Sequence, residues 1–261
     1  MKTRTHILES SAASKPAADI RAVLFDLGDT LIEYGTLDPK VIFNDGAQRT
    51  HAYLVDRGHG PPAFRHYRKR LYRSMRWRFA WARVRRRDFN SVHVLRDLCS
   101  GMGLPDDETS ITELAWVWYS PLARVARIEP DLIQTLATFR SAGLKLGIVS
   151  NTVIGSAVLD RHLADVGLLD FFPVRIYSSE YGRRKPDRRI FDDALAAMDV
   201  DAGSALFIGD RRDTDIAGAR RAGMRTALKT GLAATRGPDP DYVVRTIAEL
   251  MPIVLSAAYT N

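Results

Sequence analysis

Four residues of this sequence have side chains suited to phosphoryl chemistry, and they stand where ordered elements are expected to begin or end. Asp26, Ser150 and Asp210 each follow a short apolar run. Lys185 stands directly before Pro186, at an expected helix start. A carboxylate can attack phosphorus or coordinate a metal ion through hard oxygen atoms. A hydroxyl and an ammonium group can neutralise the oxygens of a transferring phosphoryl group. Together these residue types predict a site for phosphoryl transfer.

The elements that position these residues alternate along the chain from Arg21. Short apolar runs indicate buried strands, and the stretches between them carry apolar residues at helical spacing. The predicted strands are 22–25, 144–149, 174–177, 205–208 and 225–229, and the predicted helices are 130–142, 156–166, 187–198 and 215–222. This order predicts an α/β protein whose parallel, doubly wound sheet carries helices on both faces. Ligands of such sheets bind beyond the carboxyl ends of the strands.

Residues 34–125 interrupt the alternation and predict a helical insertion between the first and second strands. They are rich in Arg, Trp and Tyr and contain no convincing buried strand. The apolar residues expected to pack inward recur at helical spacing: Tyr67, Leu71, Met75 and Trp81. Trp116, Trp118 and Tyr119 are likewise interpreted as a core stripe rather than as the wall of a substrate pocket.

Four ordered motifs resemble those of the haloacid-dehalogenase-like hydrolases. They read FDLGDTL at 25–31, IVSNT at 148–152, KPD at 185–187 followed by IF at 190–191, and IGD at 208–210 followed by TDIAGA at 214–219. Each motif alone is weakly specific, but four in this order at expected strand ends are strongly so. The resemblance implies a Rossmann-like doubly wound parallel sheet as the core domain, residues 21–33 and 126–261. Residues 34–125 would form an inserted α-helical cap domain.

The resemblance also implies a role for each motif residue. Asp26 would be the nucleophile and a Mg²⁺ ligand, and would form an aspartyl-phosphate intermediate. Lys185 would be the second catalytic residue and neutralise charge. The other implied residues are the Mg²⁺ ligands Gly28 (through its carbonyl oxygen), Asp210 and Asp215, and the phosphate-binding residues Thr30, Ser150 and Asn151. The implied reaction is the hydrolysis of a small phosphomonoester that the cap selects.

One position departs from the family's phosphatases, which resemble one another in carrying a second aspartate two residues after the nucleophile. Here that position is Gly28, and the acid stands one place later, at Asp29. Adjacent side chains of an extended segment point to opposite faces, so Asp29 is not expected to inherit the role. General acid catalysis typically contributes ~10²–10⁴-fold in rate. The glycine argues against a phosphomutase and, because dehalogenases carry a tyrosine there, against a dehalogenase.

Gly28 leaves two alternatives to a phosphatase open. One is a weakly active or non-catalytic binding protein whose basic cap binds an anionic partner. The other is carbon–halogen or carbon–phosphorus cleavage, the latter through a cap lysine, for which Lys40 and Lys69 are the candidates. The substitution Asp26→Asn separates an enzyme from a binding protein, because an enzyme would lose metal-dependent turnover. A binding protein would instead respond to changes of cap arginines and to salt.

Positive charge is concentrated in the insertion. Of the 38 lysines and arginines, eleven lie within 64–87 with no acid among them, and the other 27 are outnumbered by 31 aspartates and glutamates. A solvated helix face is the usual role of such a run, but guanidinium groups also bind the oxygens of anionic substrates. The expected partner is a small phosphorylated or otherwise anionic substrate. No nucleic-acid-binding module accompanies the charge, so nucleic acid is not favoured.

The whole chain sets further limits. Its 261 residues contain one cysteine, Cys99, which excludes an intramolecular disulfide and a cysteine-based zinc site and favours a reducing, cytoplasmic setting. No apolar run reaches the ~20 residues needed to cross a bilayer, so no membrane partner is expected. Residues 1–20 lack the apolar segment of a secretory signal and are expected to form a flexible tail. The identity of the substrate and the oligomeric state are left open.

Overall fold

Six parallel strands form one sheet in the computed structural model, which describes residues 20–231 and 235–255. The strands are β1 (Ala22–Phe25), β2 (Lys145–Ser150), β3 (Val174–Tyr177), β4 (Ala205–Gly209), β5 (Arg225–Lys229) and β6 (Tyr242–Val244). Their order across the sheet is β3-β2-β1-β4-β5-β6, and every neighbouring pair is parallel. β2 and β3 follow in turn on one side of β1, and β4, β5 and β6 follow in turn on its other side. This change of direction puts the topological switch point between β1 and β4.

The five strands expected from the sequence are all present, each within one residue of its predicted ends, and the Rossmann-like architecture is confirmed. The sequence does not predict β6, because its three residues are too few to show a periodic pattern. The tail predicted at 1–20 lies outside the described residues except for Ile20, which is buried.

Helices on both faces of the sheet explain why its central strands are continuously apolar. Every residue of β1 and of β4 is buried, as expected for parallel strands that are covered on both sides. Successive side chains of β1 point to opposite faces. Phe25 packs edge-on against Phe172 on one face, and Leu24 belongs to the cluster of Phe191 and Phe207 on the other.

Within residues 20–231 and 235–255, ten α-helices accompany the sheet. They are α1 (Pro39–Asp56), α2 (Phe64–Arg85), α3 (Ser91–Ser100), α4 (Glu108–Val125), α5 (Leu132–Ser141), α6 (Ser156–Asp165), α7 (Ser178–Tyr181), α8 (Arg188–Met198), α9 (Ala217–Arg221) and α10 (Met251–Val254). The first four make up the insertion, and residues 34–125, all of them described, contain no strand. An antiparallel bridge between Glu33 and Arg127 joins the segments that enter and leave the insertion. That residues 34–125 form a separate domain stays a prediction. Within the described ranges, no helix is long and apolar enough to cross a membrane.

The inward face of α2 differs from the prediction at one residue. Tyr67, Leu71 and Met75 are buried as expected, but Trp81 is 52% exposed. The inward position of that turn belongs to Ala82, which lies seven residues after Met75 and is buried. Residues seven apart lie on the same side of an α-helix, and one position earlier the side chain points about 100° away. Trp81 therefore faces solvent.

A buried glycine lets α1 and α4 approach closely. A β-carbon built on Gly46 would lie 2.6 Å from the carbonyl oxygen of Trp118 and 2.9 Å from its Cδ1 atom.

Helix propensity alone predicts that Gly46→Ala stabilises α1 by about 1 kcal/mol. We expect the opposite sign, a loss of about 1–3 kcal/mol in the free energy of unfolding, because the clash is with backbone. Urea unfolding measures it. Gly203→Ala is the control, since a β-carbon there meets no described atom within 4 Å, and equal effects of both substitutions would contradict the close approach.

Candidate active site

The ends of three adjacent strands gather the polar residues that the sequence singles out. β2 ends at Ser150, Asp26 directly follows β1, and Asp210 directly follows β4. β1 lies between the other two strands. The Asp26 N–H donates a hydrogen bond of 2.9 Å to the carbonyl oxygen of Ile208, which ties the ends of β1 and β4 together. The three side chains therefore share the edge of the sheet at its switch point.

A buried acidic cluster forms at this edge. Asp26, Asp210 and Asp215 each offer a carboxylate oxygen, and these three atoms lie within 4.8 Å of one another. The residues are 8%, 7% and 1% exposed. Carboxylates at such separations repel one another unless a cation neutralises them. Several hard oxygen donors on one side of a cleft are the ligands that Mg²⁺ prefers, so this donor set fits the ion.

Asp215 reaches the cluster through an irregular turn. A single π-type turn, Arg212–Ile216, precedes α9, where the sequence predicts an α-helix over 215–222. The Asp215 Oδ2 atom accepts a hydrogen bond of 3.0 Å from the Arg211 N–H. A β-carbon built on Gly209 would lie 2.4 Å from that oxygen, a separation that excludes any side chain. Glycine at the end of β4 therefore makes room for the third carboxylate.

Lys185 supplies a cation within the cluster. Its Nζ atom lies 2.7 Å from Asp26 Oδ1 and 2.8 Å from Asp215 Oδ1, and its side chain is 1% exposed. Burial alone would lower the pKa of Lys185, but attraction to the carboxylates of Asp215 and Asp26 outweighs burial and raises it. The lysine stays an ammonium ion and offsets one of the negative charges around it.

The pKa of Asp210 is raised, in part because negative charge remains in the cluster beside Lys185. Burial, followed by the charges of Asp26 and Asp215, raises the pKa of Asp210 to about 7. The pKa of Asp215 is also raised, again chiefly by burial, with Lys185 opposing the shift. At neutral pH the metal-free cluster thus retains part of a proton. Metal ions bind deprotonated ligands, so binding at such a site is coupled to proton release.

The three residues expected to bind phosphate have different placements. Ser150 is 4% exposed at the end of β2. Asn151 clamps the backbone of Lys185: its Oδ1 accepts the Lys185 N–H at 2.8 Å, and its Nδ2 donates to the Lys185 carbonyl oxygen at 3.0 Å. Thr30 is fully buried, and its hydroxyl has no hydrogen-bond partner within the described part of the chain. The phosphate contact expected of Thr30 therefore stays a prediction.

Asp29, the acid that stands one place after Gly28, lies in the turn that follows Asp26. Asp29 has a φ of 55° and donates its N–H to the Ile32 carbonyl oxygen at 2.7 Å. Its Oδ1 atom accepts the N–H of Tyr34 at 3.3 Å. Asp29 therefore closes a turn rather than lying in an extended segment, and the expectation that it does not inherit the role of the acid stays a prediction. The contact of the Gly28 carbonyl with a metal ion stays a prediction.

A series of hydrogen-bonded polar side chains lies beside Gly28, and the sequence does not predict it. A β-carbon built on Gly28 would lie 3.7 Å from the ring of Tyr34. The hydroxyls of Tyr34 and Tyr119 are 2.9 Å apart, and the Tyr119 hydroxyl lies 2.8 Å from Nδ1 of His162. Burial raises the pKa of Tyr34 to about 12 and lowers that of His162. No spacing signal could have joined these residues, because 85 and 43 positions separate the successive pairs.

Comparison with known proteins agrees with this geometry. The family model of the haloacid dehalogenase-like hydrolases matches residues 20–223. A glyceraldehyde 3-phosphate phosphatase of Methanopyrus kandleri is 36% identical over 136 residues, which are 49% of this chain and 57% of that protein. A ribulose-1,5-bisphosphate 5-phosphatase of Halopiger xanaduensis is 30% identical over 170 residues, 60% of this chain and 68% of the relative. The chain thus spans little more than half the length of the first relative, 57%.

Solved structures share the fold. A 2-haloacid dehalogenase from Pseudomonas syringae pv. Tomato superposes with a TM-score of 0.64 at 24% identity, over 92% of this chain and 99% of the other. That identity shows the fold alone. A HAD phosphatase from Thermococcus onnurineus gives a TM-score of 0.58 at 26% identity, over 90% and 98% of the two chains. Because the family model spans most of the sheet as well as the insertion, the chain belongs to the haloacid dehalogenase-like hydrolases.

Proposed function

We propose that this hydrolase is a Mg²⁺-dependent phosphatase that cleaves phosphomonoesters through an aspartyl-phosphate intermediate. The observation that carries the proposal is Lys185, held between Asp26 and Asp215 beside Asp210. One ammonium ion among three carboxylates leaves a negative cluster suited to a divalent cation. Relatives named as phosphatases, those of Methanopyrus kandleri and Halopiger xanaduensis, support the same reaction.

Asp26 is the proposed nucleophile. Lys185 holds the carboxylate through Oδ1 at 2.7 Å, and the other oxygen attacks phosphorus. The new bond from Asp26 to phosphorus forms as the bond from phosphorus to the departing alcohol oxygen breaks. Water then attacks the phosphoryl group, which releases inorganic phosphate and restores the carboxylate. Asn151 contributes by fixing the backbone of Lys185, as a positioning residue.

Asp26, Asp210 and Asp215, with the carbonyl oxygen of Gly28, are the proposed Mg²⁺ ligands. The ion supplies positive charge that offsets the charge on the phosphoryl oxygens. Ser150 is the proposed hydroxyl donor to those oxygens, from the neighbouring strand end. Gly28 cannot protonate the departing oxygen, so esters of more acidic alcohols are the favoured substrates in this mechanism.

We also propose that residues 34–125 act as the cap that admits the substrate. A cavity of about 630 Å³ lies between the insertion and the core. Asn151 and Thr152 line it from the core, and Arg76 and Arg83 line it from α2. A small phosphorylated substrate entering here would meet cap arginines on its way to Asp26. The basic segment thus has a part in substrate binding.

Phosphate release tests the proposed reaction and its metal requirement together. We expect release from aryl, sugar and nucleotide phosphates with Mg²⁺, loss of release after treatment with a chelator, and recovery when Mg²⁺ is added back in excess. The three clustered carboxylates are the reason, since without the ion they repel the anionic ester. Circular dichroism with the chelator shows whether the chain stays folded. A folded, Mg²⁺-binding protein that releases phosphate from none of these esters would overturn the proposal in favour of an anion-binding protein.

A further inference from the structure

The insertion borders a large cavity, partly open to solvent, that the proposed chemistry does not use. It has a volume of about 880 Å³ and lies between α1, α2 and α4. Its walls are mostly apolar and aromatic, and they include Phe43, Tyr72, Phe79, Trp118 and Leu122. Trp118 and Tyr119, which the sequence assigns to a core stripe, thus form part of a pocket wall as well. Small-molecule sites in proteins typically have volumes of about 300–1,000 Å³ and mainly apolar linings.

Cations surround this apolar space. Those that line it are Lys40, Arg65, Arg68, Lys69 and Arg76, and no aspartate or glutamate of the described chain lines it with them. Nor do these five cations form an ion pair with any described carboxylate, whereas Arg49 on the same insertion pairs with Asp45 at 2.8 Å. An apolar pocket with unneutralised cations is complementary to a molecule that has an apolar body and a negative group.

Two tyrosines connect the wall of this cavity with the catalytic edge of the sheet. Tyr119 lines it, and the Tyr119 hydroxyl lies 2.9 Å from that of Tyr34, whose ring stands beside Gly28. Ile154, in the loop that follows β2, lines the same space from the core. Arg76 and Phe79 line both this cavity and the one that contains Asn151. The two cavities therefore share the side chains of Arg76 and Phe79 as a common wall.

We propose that the substrates of this enzyme are amphipathic organic phosphates, whose aromatic or long hydrocarbon body fills the cavity of the insertion. This inference rests on the proposed phosphatase function and narrows its substrate class. A phosphorylated sugar of a few carbons would fill a small part of 880 Å³ and present no apolar surface to the aromatic walls. The preferred substrate class thus differs from the phosphorylated sugars in the names of the two relatives.

Calorimetric titration of the full chain with butyl, hexyl and octyl phosphate tests the inference. The catalytically silent Asp26→Asn protein in Mg²⁺ is used, so that binding is measured whether or not the wild type turns over. We expect affinity to rise with chain length, by up to roughly fourfold per methylene group that enters the cavity. Equal affinities for the three esters, or no binding of any, would overturn the inference.

Paired variants on the same helices locate the binding. On α1, Phe43 lines the cavity and Val41, 62% exposed, does not. We expect Phe43→Asp to abolish the chain-length dependence and Val41→Asp to leave it unchanged. On α2, Arg76 lines the cavity and Arg73 does not, so Arg76→Gln should weaken octyl phosphate binding more than Arg73→Gln. Equal effects within both pairs would place the binding elsewhere and contradict the inference.

Wild-type turnover separates the two proposals. Chain-length-dependent binding without phosphate release from these alkyl esters or from an aryl phosphate would refute the phosphatase function and leave the amphipathic site standing. Phosphate release whose rate and KM are independent of chain length would refute the amphipathic substrate class and leave the phosphatase standing. Leu122 also lines the cavity, and Leu122→Trp is a second variant that fills the cavity without adding charge. It should weaken octyl phosphate binding and leave butyl phosphate binding nearly unchanged.

Discussion

Asp26→Asn is expected to reduce phosphate release by at least about 10³-fold while the protein stays folded. The amide keeps the shape of the carboxylate and can still accept the hydrogen bond of Lys185 at Oδ1, but it is a far weaker nucleophile. The substitution also removes one negative charge from a cluster of three carboxylates. The metal-free variant should therefore be at least as stable as the wild type, since less repulsion remains. Steady-state kinetics and thermal unfolding measure the two effects on the same sample.

Asp213→Asn is the matched control for this substitution. Asp213 lies in the fourth motif, but its side chain is 44% exposed and pairs with Arg211 at 2.8 Å, away from the cluster. We expect turnover within about twofold of wild type, as for most exposed ion pairs. A tenth or more of wild-type turnover in Asp26→Asn would mean that another group attacks phosphorus. A large loss in both variants would point to a general disturbance of the site.

The sequence locates the catalytic edge because strand ends have a strong local signal. Asp26 and Asp210 each follow an apolar run that is buried on both faces, and parallel strands bring their carboxyl ends to one edge whatever the intervening chain does. Gly209 likewise belongs to this local signal, because it ends β4 directly before Asp210. The expected sheet, its order of elements and the grouping of the acidic residues follow from such short-range features.

Contacts between distant segments carry no comparable signal. Lys229 is 3% exposed, and its Nζ atom pairs with Glu33 at 2.9 Å and with Glu129 at 2.7 Å, the two segments that flank the insertion. It also donates to the carbonyl oxygen of Thr30 at 2.8 Å. In the sequence Lys229 is merely the last residue of an apolar run. The clamp of Asn151 on Lys185 is hidden for the same reason, because side-chain direction depends on packing rather than on order along the chain.

Lys185→Met is expected to give the second large effect, on stability as well as turnover. The lysine is the described cation that bridges Asp26 and Asp215, and both contacts are buried. Removing one partner from a buried ion pair typically costs about 3–5 kcal/mol, because an uncompensated charge is left behind. We expect a loss of that size in the free energy of unfolding of the metal-free protein at pH 8. Chemical denaturation measures it, and turnover should fall with it.

The dependence of this stability loss on pH and on Mg²⁺ shows whether Lys185 acts by compensating the charge of the cluster or by its contact with Phe207. The loss should shrink at pH 5.5, because the pKa of Asp210, already raised to about 7 by burial and nearby carboxylates, allows that group to take up a proton and relieve the repulsion. The loss should also shrink in Mg²⁺, since the ion replaces the missing positive charge. A deficit that is independent of both pH and Mg²⁺ would mean that Lys185 acts mainly through its cation–π contact with Phe207, whose ring centroid lies 5.2 Å from the Nζ atom.

Lys145→Met provides the comparison. Lys145 begins β2, and its Nζ atom donates to the carbonyl oxygens of Met198 at 2.7 Å and Asp199 at 3.2 Å, with no carboxylate of the acidic cluster involved. We expect a loss of only about 1–2 kcal/mol, the usual size for hydrogen bonds from a charged group at a partly exposed site, with no response to Mg²⁺. Tighter Mg²⁺ binding combined with slower turnover in Lys185→Met alone would show that the ammonium ion restrains the cluster and serves the reaction. If Lys145→Met responded to Mg²⁺ in the same way, the ion would be acting on the protein as a whole and not at the cluster.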